Sequence, residues 1–225
     1  MLKSLLICVA FTKSFSYRLQ FISSKYSLRM SSFNAYENSE RASELTNNLI
    51  SVNNRIENAI SSSGRDSKSV TLIAVSKTKP SSDLLEIYNT GHRDFGENYF
   101  QELCTKCEEL PKDINWHFIG HLQSTKAGPI VKNVPNLKCI ETVDSEKLAT
   151  KLNTACDNYR KDNNLEMFIQ VDTSGEESKS GILPENVSAF AVFIRENCPH
   201  LTIKGLMTIG APGLRLLVIG DIICC

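Results

Sequence analysis

The sequence has no run of about 18 apolar residues, the length a helix needs to cross a membrane. It has no surplus of either charge. The 25 Lys+Arg balance 25 Asp+Glu, which argues against a nucleic-acid binder acting through bulk charge, and no Lys/Arg block forms a basic patch. It has no G-x-G-x-x-G and no Walker pattern, so a dinucleotide or nucleoside triphosphate fold has nothing to recommend it. Cys104-Thr-Lys-Cys107 has no second pair to complete a zinc site. The eight cysteines fall at irregular spacing in a chain too long for a disulfide scaffold. The pair reads as two thiols on one helix. The first 36 residues lack any carboxylate, yet hold Lys3, Lys13, Arg18, Lys25, Arg29 and eight serines. That is the composition of a mitochondrial transit peptide. The apolar Leu5–Phe11 behind Lys3 leaves a secretory signal open, and a start at Met30 behind a disordered lead is a third reading. Residues 1–36 are set apart from the fold on each of them.

Hydrophobic residues make up 41% of the 225, enough for one buried core. Over 39–62, Leu45, Leu49, Val52, Ile56 and Ile60 recur in steps of three and four and predict an amphipathic helix, stopped by Ser61-Ser-Ser-Gly64. Val70–Val75 is short, apolar and β-branched, and reads as a buried strand. A helix from Ser81 to about Thr90 follows. The unit then repeats. Strands over 93–98, 115–120, 137–144, 166–173 and 201–209 alternate with helices over 99–110, 121–133, 145–159 and 184–197. Gly128-Pro129 should shorten the helix over 121–133. Strict βα alternation means parallel strands with right-handed crossovers. Without a glycine-rich loop after the first strand, a TIM-type (β/α)8 barrel is favoured over a doubly wound sheet.

A barrel does its chemistry where strands end. The first strand ends in Ser76-Lys77-Thr78-Lys79. A charged amine at the mouth of an apolar barrel loses hydration, and Lys79 adds a second cation. Both favour the neutral, nucleophilic amine, which attacks carbonyls to form imines. Lys77 is thus a candidate Schiff-base residue. The competing reading is that Lys77 or Lys79 only reaches to solvent. His117 and His121 are split by a strand and a turn, which favours structural histidines over metal ligands. Ser76-x-x-Lys79 is a chance match to a penicillin-recognising pattern, because Pro80 prevents the helix start it needs.

Six stretches in order resemble the pyridoxal phosphate homeostasis protein family. They are Leu72-Ile-Ala-Val-Ser-Lys-Thr-Lys-Pro80; Phe95-Gly-Glu-Asn-Tyr99 with Gln101-Glu102; Trp116-His-Phe-Ile-Gly-His-Leu-Gln123; Glu141-Thr-Val-Asp144; Gln170–Gly181; and Gly205-Leu-Met-Thr-Ile-Gly210. The resemblance covers about residues 40–213. It implies the barrel shared with the N-terminal domain of alanine racemase, binding of pyridoxal 5′-phosphate, and a role in holding and handing on that cofactor without catalytic turnover. It implies that Lys77 carries the cofactor as a Schiff base, that Asn98 and Met207 flank its ring, and that Lys79 and Lys179 lie near the site. The partners it implies are the cofactor and acceptor enzymes, with no nucleic acid or membrane, for a mitochondrial or cytoplasmic monomer.

The resemblance stops near Gly213. The family's last strands, which hold the cofactor's phosphate, have no match in Leu214–Cys225. The expectation is therefore an incomplete barrel of about six βα strands, the last two missing. It comprises a leader over 1–36, a partial binding domain over 37–213 and an unrelated tail over 214–225, in which Val218, Ile219, Ile222 and Ile223 could form one substitute strand. Such a chain would hold the cofactor poorly and aggregate. Two other functions compete. A racemase-like enzyme would need a second acid/base residue facing the lysine. A metal or redox barrel would use Cys104, Cys107, His117 and His121.

Overall fold

The computed structural model describes residues 5–10, 27–160, 163–173, 180–209 and 222–224. Helix α1 (Ser27–Ser63) starts earlier than the stripe of apolar residues predicts and ends where predicted. Its stop is physical. Gly64 takes φ +64, and the Arg65 and Gly64 amides close back on the carbonyls of Ile60 and Ser61.

Six βα strands then follow in order: β2 (Val70–Val75), β3 (Asp94–Glu97), β4 (Asn115–Phe118), β5 (Leu137–Val143), β6 (Leu165–Gln170) and β7 (Leu201–Thr208). Each lies within a few residues of its predicted span. Each pairs in parallel with the next. Between them run α2 (Ser81–Asn89), α3 (Phe100–Glu109), α4 (Ala127–Asn133), α5 (Glu146–Tyr159) and α6 (Val187–Asn197). Sequence chemistry sets these boundaries. The Ser145 hydroxyl accepts the Leu148 amide and starts α5. Pro129 falls in the first turn of α4, where its missing N–H costs nothing, and α4 is accordingly only seven residues long. β6 ends at Gln170, before the predicted Thr173. There the backbone turns to a loop partner, with Asp172 donating to the Ile182 carbonyl.

Two further strands follow, β1 from the segment that sequence reasoning set outside the barrel and β8 from the tail in which it allowed one substitute strand, where Val218 and Ile219 lie outside the described residues. β1 (Leu5–Ala10) pairs in parallel with β2, and β8 (Ile222–Cys224) lies between β7 and β1, so the strands form a closed ring. The free edges of β2 and β7 present unpaired N–H and C=O groups, and the apolar Leu-Leu-Ile-Cys-Val-Ala and Ile-Ile-Cys segments satisfy them.

Side chains of the strands alternate between two cores. Ala74, Phe95, Trp116, Phe118, Ile140, Met167 and Ile169 face outward and pack under the helices, with Leu45 and Leu49 of α1 and Leu148 and Leu152 of α5. Each such burial contributes about 1.5–3 kcal/mol. Ile73, Cys139, Phe168 and Met207 form a separate cluster from β2, β5, β6 and β7, the inner layer of the ring.

Candidate functional site

The C-terminal ends of β2, β3, β4, β6 and β7 converge at one mouth. β2 hands its chain to a tight turn in which the Lys79 amide donates to the Ser76 carbonyl at 3.0 Å. Lys77 and Thr78 are the two central residues. Thr78 has φ +61, the left-handed region that a β-branched residue rarely adopts, and among the described residues it is the only non-glycine with positive φ. Lys77 is half-buried and has no hydrogen bond or ion pair with any other described residue. Its neighbours are tied down instead. The Ser76 hydroxyl donates to Glu97 Oε1 at 2.6 Å and the Thr78 amide donates to Glu102 Oε1 at 2.6 Å.

The group at the centre of these ties is one that sequence reasoning missed. Lys106, on α3, is only 4% exposed. Its Nζ donates to the Ser76 carbonyl at 2.7 Å, to Glu97 Oε1 at 2.6 Å and to Glu102 Oε1 at 2.7 Å. Burial pushes the Glu97 carboxyl above its ordinary pKa, and the hydrogen bonds from Lys106 and Ser76 counter part of that rise. A lysine between Cys104 and Cys107 reads in sequence as a solvated charge. The signal that could have found it is Glu97 and Glu102, nine and four residues earlier, with Glu102 one turn back on the same helix face.

Asn98 sits just past β3, half-buried, where the chain nearly touches the end of β4. A Cβ on Gly120 would lie 2.1 Å from the Asn98 carbonyl oxygen, so only glycine lets the two strand ends approach this closely. Met207 is fully buried in the inner layer. Its register partner on β6 is Gln170. Gln170 Nε2 donates to the Ser180 carbonyl at 2.5 Å, while its buried Oε1 has no partner among the described residues. This free acceptor beside Met207 is a second feature not assigned from sequence. Lys79 contributes to the wall of a small cleft with Arg41, Leu45 and Asp83, between β2, α1 and α2. Lys179 lies outside the described residues.

Deeper in the ring, His117 is 3% exposed and bridges two acids. Nδ1 lies 2.7 Å from Glu141 Oε1 and Nε2 lies 3.1 Å from Asp94 Oδ1. Burial alone would lower the imidazole pKa, but the hydrogen bonds and charges of Asp94 and Glu141 outweigh it and hold the ring above its ordinary value. Burial likewise works to raise Asp94, yet the contacts with His117 and Lys138 prevail and bring it to about 2. Cys139 lies close enough to His117 and Glu141 for the three to share an ion. However, both ring nitrogens already face carboxylates, and burial pushes the thiol well above its ordinary pKa, away from the ligating thiolate. His121 is more than half exposed, 3.4 Å from Asp144. The two histidines are therefore separated, and His117 is held between two carboxylates that raise its pKa. Cys104 and Cys107 are buried thiols on α3, with Cys107 Sγ 3.1 Å from Asn136 Oδ1.

Comparison with known proteins places this geometry. The sequence matches the family described as alanine racemase, N-terminal domain, over residues 51–213. It is 44% identical over 172 residues to the pyridoxal phosphate homeostasis protein of Homo sapiens, covering 73% of this chain and 62% of that protein. The chain therefore spans less than two thirds of that relative's length. It is 40% identical over 171 residues to the protein of the same name from Pseudomonas aeruginosa, covering 76% of this chain and 72% of that one. Among solved structures it resembles PipY of Synechococcus elongatus PCC7942 with PLP bound, at 32% identity and a TM-score of 0.56, covering 71% and 72% of the two chains. No described helix is long and apolar enough to cross a membrane. The barrel, its strand-end motifs and these matches agree: the chain belongs to the pyridoxal phosphate homeostasis proteins of the alanine racemase N-terminal domain family.

Proposed function

We propose that this chain binds pyridoxal 5′-phosphate covalently on Lys77 and holds the cofactor without turning it over. The observation that carries the proposal is Lys77 itself, a half-buried amine at a barrel strand end that none of the described residues engages, between two neighbours that are both tied down. The cofactor brings an aldehyde. Lys77 would hold the group, whose aldehyde would supply the electrophile for a Schiff base with the lysine amine, the carbonyl oxygen leaving as water. Asn98, just past β3, and Met207, buried beneath the strand ends, are proposed to flank the cofactor ring, and Gln170 Oε1, which has no partner among the described residues, is an acceptor for a donor on a bound ring. The buried inner layer of Ile73, Phe168 and Met207 closes the floor to water.

The names of the relatives support cofactor handling over catalysis, and the PLP-bound PipY structure supports binding of the cofactor. Residues 37–213 are proposed as the binding unit, with acceptor enzymes as partners of a monomer. The basic, serine-rich composition of the first 36 residues supports a mitochondrial address, the place of Leu5–Ala10 as β1 of the ring supports the cytoplasm, and cell fractionation decides between them. The test of the site is borohydride reduction in excess cofactor, followed by peptide mass mapping. A pyridoxyl group is expected on Lys77, and a label only elsewhere rejects the proposal. Incubation with single L-amino acids is expected to yield no D-isomer; steady D-isomer production would establish racemase activity instead.

A further inference from the structure

We infer that Lys106 and Glu102 are positioning residues for Lys77, and that they do so by holding Thr78 in a left-handed turn it would otherwise leave. The inference rests on the reading of Lys77 as the cofactor lysine. Ser76, Lys77 and Thr78 are consecutive, and the outer members are each gripped by a side chain of α3, Ser76 by Lys106 and Thr78 by Glu102. Lys106 Nζ binds the Ser76 carbonyl at 2.7 Å. Glu102 Oε1 accepts the Thr78 amide at 2.6 Å, and the same oxygen accepts Lys106 at 2.7 Å. Glu97, fully buried at the end of β3, completes the cradle through Lys106 and the Ser76 hydroxyl.

A threonine at φ +61 is strained, because its branched Cβ crowds the backbone. A type II turn with glycine at this position would need no such restraint. The amide of Thr78 points at a carboxylate, so the ion pair supplies the force that keeps the turn. That turn sets the direction in which the Lys77 stem leaves the strand. A buried ion pair adds little to stability compared with an apolar replacement. Its placement on both sides of one lysine that no described residue engages accounts for its presence better than stability does.

The experiment uses the full chain with pyridoxal 5′-phosphate and follows borohydride-trapped label at Lys77 against cofactor concentration. Glu102→Ala removes the tie to Thr78 and leaves the Lys106–Glu97 pair intact. It is expected to keep the circular dichroism spectrum and to need about tenfold more cofactor for half-labelling. Adding Thr78→Gly to Glu102→Ala is expected to restore labelling, because glycine holds the turn unaided. Lys106→Met, the harsher change, is expected to lose labelling further. Equal labelling of wild type and Glu102→Ala would overturn the inference. So would a loss that Thr78→Gly does not rescue, or unfolding of Glu102→Ala, since each makes Glu102 irrelevant or merely structural. Absence of label on Lys77 in the wild type would instead reject the functional reading beneath it.

Discussion

At the scale of single residues, the site divides into a reactive group and the groups that hold it. Lys77 was legible in sequence because an amine at the end of an apolar run is out of place there. Lys106 was not, because its partners Ser76 and Glu97 lie on other elements and only the fold brings them within 2.7 Å. The same holds for Asp94, His117 and Glu141, on three strands, which a single sequence cannot pair. His117→Ala would leave the buried Glu141 carboxylate without its partner and the half-buried Asp94 with only Lys138 and Asn115. We expect it to lower unfolding free energy by about 3–5 kcal/mol, read by urea denaturation. A loss within experimental error would show that the imidazole is not the charge those acids depend on.

At the scale of elements, strand positions were readable because buried parallel strands are continuous apolar runs. Helix ends were readable where a cap is local, as at Ser145. Ser145→Ala is expected to cost about 1 kcal/mol through the lost bond to the Leu148 amide, seen as a lowered melting temperature. Gly120→Ala tests the junction of β3 and β4. Its Cβ would meet backbone atoms of Asn98, which cannot swing aside as a side chain would. The substitution should therefore displace Asn98 and weaken cofactor labelling while leaving α3 and the Lys106 cradle in place. Unchanged labelling would mean Asn98 does not contribute at the mouth. The participation of Leu5–Ala10 in the ring was hidden, because an apolar stretch among basic and serine residues has the composition of a leader.

At the scale of the whole molecule, the outer core of helices on strands was implied by the repeating βα pattern, and the charged interior was not. That interior makes stability depend on pH. Asp94 is lowered from 3.8 to about 2 in the fold, so its contribution is present above about 3.8 and is lost as pH falls toward 2. His117 is raised from 6.5, so its contribution is complete below about 6.5 and is lost as pH rises through its higher folded value. Melting temperature should therefore plateau between about pH 4 and 6.5 and fall on both sides, with the alkaline fall absent in His117→Ala. A profile rising steadily through neutral pH would contradict the assigned charge of His117.

The central claim is that one amine, Lys77, captures the cofactor's aldehyde. Titration of wild type and Lys77→Arg with pyridoxal 5′-phosphate, followed by borohydride and intact-mass measurement, tests it most directly. One added pyridoxyl group on the wild type and none on Lys77→Arg, both chains giving the same circular dichroism spectrum, is the result expected. A stoichiometric adduct that survives in folded Lys77→Arg would contradict the account.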